Sequence, residues 1–460
     1  LPLHARAKTP TKAPNDREGF RQAMSWLHTW SGLVLGWLLF AIFLTGTLSY
    51  FKAEFNLWMQ PELHGLSPAS QDVAQRAQQA LHREAPGVSQ WIMRLPDERQ
   101  PWVSVLWRDQ ANGRFQALRM DPETGQALHP RETMGGEFFY RFHFELRTAK
   151  NGRWVVQGRW IVGAATMLMF IALLTGVVTH RRIFKDFFTF RPAKGGQRAW
   201  LDAHNVSGVL ALPFYLMITF SGLMIFHTLY MPAGIAAAYP GPQGADSQAY
   251  FADLLGDPPN RARRRGADSS PPLPLIDLGP SLEAARSEWN GGRIASLQAR
   301  RDGDTVVLEV SRHDGDRLQY RPAHLRFDGV SGGRLDQADV QSPAVRTYGV
   351  LYGLHLARFA GPGMRWALFG FGVLGSLMIA TGLVLWVVKR RAQSQRKAAG
   401  AAPARGERLV ETLNLAALAG LPLAIASYLA ANRLLPLQMD ARADAELHCF
   451  FAAWGLALAI

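Results

Sequence analysis

Five uncharged stretches divide the chain, at residues 25–51, 160–179, 205–226, 366–388 and 412–432. None contains an Asp, Glu, Lys or Arg. A hydrocarbon core of ~30 Å takes about 20 residues of helix rising ~1.5 Å each, so every one of these runs can cross a bilayer. A sixth run, 447–460, has 14 residues and is short for a full crossing. The pattern predicts a polytopic α-helical membrane protein, with spans at 26–51, 158–180, 204–227, 365–388 and 412–432 and a partial sixth at 447–460.

Two long polar segments, 52–157 and 228–364, separate the first span from the second and the third from the fourth. Each reads as a small α+β unit. In the first, "SPASQDVAQRAQQALHREAP" has helical spacing and precedes the β-like runs "WVSVLW" and "RFQALRMD". In the second, "SLEAARSEW" precedes "RIASLQARR", "TVVLEVSR" and "AHLRFD". Both units close on an Asp…Gly turn, Asp121 to Gly125 and Asp328 to Gly332, with glycine free to take positive φ. The Pro-, Arg- and Ser-rich "GDPPNRARRRGADSSPPLP" reads as a surface loop.

The net charge of +14 would suit nucleic acid, but its placement argues for lipid. Basic residues gather in the tail 1–25 (Arg6, Lys8, Lys12, Arg17, Arg21), in the loop 181–203 (Arg181, Arg182, Lys185, Arg191, Lys194, Arg198) and in the loop 389–411 (Lys389, Arg390, Arg391, Arg396, Lys397, Arg405, Arg408). An alternating path puts these three segments on one side, and the positive-inside rule makes that side the cytoplasm. The two polar segments then lie outside it, and no nucleic-acid partner is expected. The first span has no A-x-A-like site behind it and reads as a retained anchor. Cys449 is the sole cysteine, which leaves no pair for an intrachain disulfide and no C-x-x-C-H attachment for covalent haem.

The spans repeat in parallel orientation. His28-x-x-Ser31-Gly32 in the first matches His204-x-x-Ser207-Gly208 in the third, and Thr45-Gly46 matches Ser221-Gly222 in the same register. The second and fourth share "LLTGVVTHRR" and "IATGLVLWVVKRR", each preceded by an apolar patch with a histidine, "FFYRFHFEL" and "YGVLYGLHLARF". Such repeats are related by an axis along the membrane normal. His28 and His204 then approach that axis at one depth, and His143 and His355 at another. Two neutral imidazoles meeting across an axis supply both axial ligands of a haem iron. The expectation is two non-covalent b-type haems. As isolated residues these histidines would be interfacial, and the small-residue pairs are also explained by close helix packing. His180 and His227 break the symmetry, their repeat partners being Trp386 and Phe51. His180 could replace one member of the inner pair or bond a haem propionate, whereas His227 reads as an interface residue. Phe138, Phe139, Tyr140, Tyr348 and Tyr352 lie near the outer histidines and could line a substrate contact there, or serve as interface anchors.

"HRRIFKDFFTFRP", "LDAHNVSGVLALPFYLMITFSGL" and the Asp…Gly hairpins resemble the PepSY-associated transmembrane family of bacteria, over roughly residues 21–391. More narrowly, the chain resembles the inner-membrane siderophore reductases of the ferrioxamine type. The resemblance implies a four-helix haem-binding core made of two helix–PepSY–helix repeats. It implies two periplasmic PepSY domains, with His28, His143, His180, His204 and His355 at characteristic positions. It also implies reduction of siderophore-bound Fe(III) in the periplasm and release of Fe(II) for uptake. Electrons would enter on the cytoplasmic side and leave on the outer side. No G-x-G-x-x-G follows a strand, so the electron donor is expected to be a quinol or another protein. Two other classes compete. A metal or chelate permease usually keeps an ionisable residue within the bilayer, which the five runs lack. A non-catalytic PepSY membrane sensor would carry no haem.

Overall fold

The computed structural model describes residues 16–66, 72–108, 115–146, 157–180, 195–242, 244–255, 271–321, 323–335, 341–397 and 402–459. Most of "HRRIFKDFFTFRP", at 181–192, lies outside the described residues, as do the basic loop at 181–194 and the Pro- and Arg-rich stretch at 256–270.

The membrane part is one helical unit used twice. In the first copy α1 (Asp16–Val34) and α2 (Gly36–Ser49) form a bent pair, and α3 (Glu137–Glu145) precedes α4 (Gly158–Thr179). In the second, α5 (Gly196–Leu210) and α6 (Leu212–Ile225) form the bent pair, and α7 (Pro343–Leu356) precedes α8 (Pro362–Lys397). Bends of 66° and 67° replace the straight first and third spans that the uncharged runs suggested. The hinges are Leu35 (φ −117°, ψ 12°) and Ala211 (φ −118°, ψ 22°). They lie 211 − 35 = 176 positions apart, the same offset as 204 − 28 for the histidines. Pro213 accounts for the second bend, since it offers no N–H to the preceding turn and its ring displaces a carbonyl there. At the first, Gly36 admits Leu383 from α8, where a Cβ would come within 2.7 Å of its Cδ2.

The bends let each pair change neighbours halfway. α1 lies against α4 and α2 against α8, while α5 lies against α8 and α6 against α4. Each repeat therefore grips the other. The chain then continues through α9 (Arg405–Leu415), a π-helical turn (Ala416–Gly420), α10 (Leu421–Leu434) and α11 (Arg442–Ala459). Among the described residues three helices are long and apolar enough to cross a membrane, namely α4, α8 and the run from Arg405 to Leu434. Counting each bent pair as one span brings the number to five. α8 extends past the expected end at 388 because "KRRAQSQRK" holds no Gly or Pro to stop it. α11 starts before the expected 447, because Arg442 and Glu446 pair one turn apart inside the fold.

The polar segments, expected as separate α+β units, share one seven-stranded antiparallel sheet. Its strands are β1 (Gln90–Arg94), β2 (Val103–Arg108), β3 (Phe115–Met120), β4 (Ala127–Leu128), β5 (Ile294–Asp302), β6 (Thr305–Arg312) and β7 (His324–Asp328), in the order β4-β3-β2-β1-β5-β6-β7. The halves join where β1 meets β5, with Trp91 opposite Ala299 and Met93 opposite Leu297. All four side chains are fully buried. Left as two edges, these strands would expose backbone donors and an apolar strip, so pairing them removes both liabilities. Helices Val73–Glu84 and Gly279–Glu288 cover the buried face. Gln78 stitches the halves together: its Nε2 donates to Ile276 O (2.8 Å) and its Oε1 accepts from Ile276 N (2.9 Å). In the two expected turns Asp121 and Asp328 accept backbone amides through Oδ1, and Gly125 and Gly332 have φ of +70° and +71°.

Candidate functional site: two facing histidine pairs

Four histidines sit in four copies of one seat. His28 of α1 lies on Gly176 of α4, and His204 of α5 on Gly382 of α8. His143 of α3 lies on Gly46 of α2, and His355 of α7 on Gly222 of α6. A Cβ on these glycines would come within 3.1, 3.0, 2.6 and 3.0 Å of the respective rings, so any side chain there would force the ring to give way, most of all at Gly46. Nδ1 of three of the rings meets the carbonyl four residues before the seat's glycine. His28 bonds Ala172 O, His143 bonds Ile42 O and His204 bonds Met378 O, each at 2.8 Å. His355 reaches Ile218 O and also lies 3.0 Å from Ser221 Oγ. The hydroxyl before each glycine (Thr175, Thr45, Thr381, Ser221) donates to the same carbonyl and to the one preceding it.

A carbonyl only accepts, so in His28, His143 and His204 Nδ1 must carry the ring proton and Nε2 is left with a free lone pair. Hydrogen bonding of the distal nitrogen is also what orients a metal-ligating histidine. The seats bring the rings together in two pairs. His28 and His204 have centroids 6.2 Å apart, and His143 and His355 have centroids 6.1 Å apart. Two imidazoles on one metal, with bonds of about 2.0 Å and nitrogens about 1.1 Å from their centroids, would stand about 6.2 Å apart. The spacing fits. No group of three or more His, Cys, Asp or Glu suited to a metal ion occurs among the described residues. Each pair would offer a metal two imidazole nitrogens, which suits a metal already held by a macrocycle. The residues fit haem.

His180 caps the end of α4 and lies close enough to His204 to interact electrostatically. Its Nε2 is buried without a hydrogen-bond partner, so a further unpartnered imidazole nitrogen lies beside the His28–His204 pair, the lower of the two, with His143–His355 the upper. His227 is engaged elsewhere, bonding Met224 O through Nδ1 (2.7 Å) and Tyr250 OH through Nε2.

The His143–His355 pair forms part of the wall of a cavity of about 1920 Å³ between the helices and the sheet. The His28–His204 pair lies outside that cavity. Tyr140, Tyr348 and Tyr352 line it as expected, but Phe138 and Phe139 do not. Those two rings are fully buried on the other face of α3, against Tyr428 and Phe450, because α10 and α11 cover that face. Tyr320 was not visible as a site residue in the sequence. It stacks on Tyr352 with centroids 4.6 Å apart, and Arg358 lies over its face. Burial and the neighbouring Tyr140 and Tyr320 push Tyr352 up to about 12, and burial raises Tyr140 and Tyr348 too. These phenols therefore stay protonated as hydrogen-bond donors at neutral pH. The cations of the wall are mostly paired: Lys52 with Glu137, Arg99 and Arg365 with Glu54, and Arg358 with Asp314.

A sequence model of the PepSY-associated TM region matches residues 25–389. An uncharacterised protein of Pseudomonas aeruginosa is 28% identical over 301 residues, which cover 61% of this chain and 70% of that one. The family match takes in most of the first bent pair, all of the second, the whole sheet and all four seated histidines, and stops before α9. The chain belongs to the PepSY-associated transmembrane family.

Proposed function

We propose that this protein is a haem-containing inner-membrane oxidoreductase that reduces Fe(III)-siderophore on the sheet side of the membrane and releases Fe(II) for iron uptake. The observation that carries the reading is the fourfold histidine seat, which yields two facing pairs at the spacing of an axially ligated metal. His28 with His204 would hold one b-type haem and His143 with His355 the other, with His180 as an alternative ligand of the first. Bound haem would supply one-electron chemistry. The chain's own residues would do the rest. The glycine floors and Nδ1 hydrogen bonds fix the ring planes and keep Nε2 deprotonated. The cavity offers a chelate phenol donors, aromatic faces and a wall with eight Lys/Arg against five Asp/Glu. One-electron reduction suits release, because hard oxygen ligands hold Fe(III) better than the softer Fe(II). The Lys/Arg distribution supports a periplasmic cavity and a His28–His204 pair near the cytoplasm. The electron donor would be a quinol or a separate protein.

The reading is tested by mixing anaerobically prereduced protein with a ferric trihydroxamate and trapping Fe(II) with a chromogenic chelator. Wild-type protein should form Fe(II), and His355→Ala should fall to the protein-free rate. His204→Ala should still deliver electrons from an artificial donor added on the sheet side. Wild-type turnover in His355→Ala with both haems retained would exclude the proposed pairing.

A further inference from the structure

α10 and α11 lie outside the repeat and beyond the family match, yet they hold the segment from which the ligand helix α3 starts. Tyr428 OH of α10 donates to Gly135 O (3.1 Å). Arg442 and Glu446 of α11 form an ion pair in which both side chains are fully buried. Such a pair persists only when its remaining donors and acceptors are met. Here they are met by the segment before α3 and by the end of α10. Thr133 Oγ1 donates to Glu446 Oε2 (2.5 Å), Asn432 Nδ2 donates to Oε1 (2.8 Å), and Arg442 donates to Glu132 O (3.2 Å) and Asn432 O (2.6 Å). Thr133 Oγ1 also accepts Gly135 N (3.1 Å), so one hydroxyl ties the ion pair to the turn that launches α3.

α3 needs this support. It has nine residues, its N-cap Gly136 has no side chain to cap the first turn although Asn56 Oδ1 accepts the Gly136 amide (2.8 Å), and helices that short are marginal alone. One face of it carries Phe138, Phe139 and Phe142 into Tyr428, Phe450 and Trp454. His143 projects from the same helix onto Gly46. α7, which carries His355, is fourteen residues long and caps itself: Ser342 Oγ accepts Val345 N (3.3 Å).

We propose that the α10–α11 hairpin is a clamp that positions His143, and that Thr133, Tyr428 and Glu446 act on the sheet-side centre through that histidine. The inference rests on the haem reading above. It makes the two ligands of the upper centre unequal, one held by the added hairpin and the other by its own helix, and leaves the lower centre independent of the hairpin.

The test uses the full-length protein in detergent, as Thr133→Val, Thr133→Ser and Tyr428→Phe. These changes remove or keep single hydroxyls and leave the buried ion pair intact. Ferric low-spin signals and midpoint potentials are recorded for both centres. Thr133→Val and Tyr428→Phe should disturb the upper signal and shift its potential by the equivalent of a tenfold change in relative stability, about 59 mV for one electron. The lower centre should not move, and Thr133→Ser should behave as wild type. Unchanged upper signals in both variants, or equal shifts at the two centres, would overturn the clamp while leaving the haem reading standing. A wild-type chain without haem would instead overturn the haem reading and the clamp with it.

Discussion

Replacing Gly46 with Ala probes the tightest of the four seats. The new Cβ would fall 2.6 Å from His143 Nδ1 and 2.7 Å from its Cε1, where ordinary contact begins at 3.4 Å. The ring must therefore retreat by 3.4 − 2.6 = 0.8 Å. That movement breaks the 2.8 Å hydrogen bond to Ile42 O, a loss of about 1 kcal/mol. Overpacking adds about 1–3 kcal/mol where the backbone cannot yield. Together, about 2–4 kcal/mol corresponds to haem retention at the upper site weakened roughly 30- to 800-fold. The assay is haem content per chain with reduced-minus-oxidised spectra, alongside thermal unfolding. Gly382→Ala needs only 3.4 − 3.0 = 0.4 Å from the His204 ring, so it should be milder and should affect the lower centre. Gly370→Ala, with nothing within 4 Å, is the control and should match wild type. Gly46→Ala with full haem content, an unaltered spectrum and wild-type stability would refute the seat as the reason for glycine there.

Alkaline phosphatase fused after Ser287 should be active and after Lys194 inactive; the opposite pattern would put the sheet, and the proposed reduction, in the cytoplasm. Burial alone would raise Glu54, but the Arg99 hydrogen bond, a backbone amide and the charges of Arg99 and Arg365 outweigh it and hold its carboxyl below the ordinary value. A lowered folded pKa gives stability that is present above the unfolded value of about 4.3 and lost as pH falls through the folded one. Wild type should therefore lose more thermal stability than Glu54→Gln between pH 6 and 3.5, and parallel curves would show that the Glu54 pairs contribute nothing.

The spans were legible because a bilayer admits few charges, and uncharged runs of the right length have little else to be. The histidine pairs were legible because the repeat doubles each of them, so that four unremarkable positions become two related ones. The bends were hidden: Pro213 hints at the second, but in the first repeat Trp37 occupies that register and only the approach of Leu383 to Gly36 explains the break. The meaning of the Thr/Ser-Gly pairs was hidden too. Close helix packing explains such pairs equally well, and only the structure puts a histidine ring on each glycine. Phe138 and Phe139 were misplaced because helical spacing around His143 does not say which face α10 and α11 will cover. Tyr320 lies in the loop between β6 and β7, far in sequence from either histidine helix, and no local pattern marks it. The joining of the two units across β1 and β5 depends on buried residues in two segments about 200 positions apart, a long-range pairing that local alternation cannot reveal.

The most direct test of the account is pyridine-haemochrome quantitation on the purified chain, followed by extraction into acidified acetone. Two b-type haems per polypeptide, both extractable, are predicted from the two pairs at 6.2 and 6.1 Å. One haem would remove one of the pairs, and a value near zero would contradict the account.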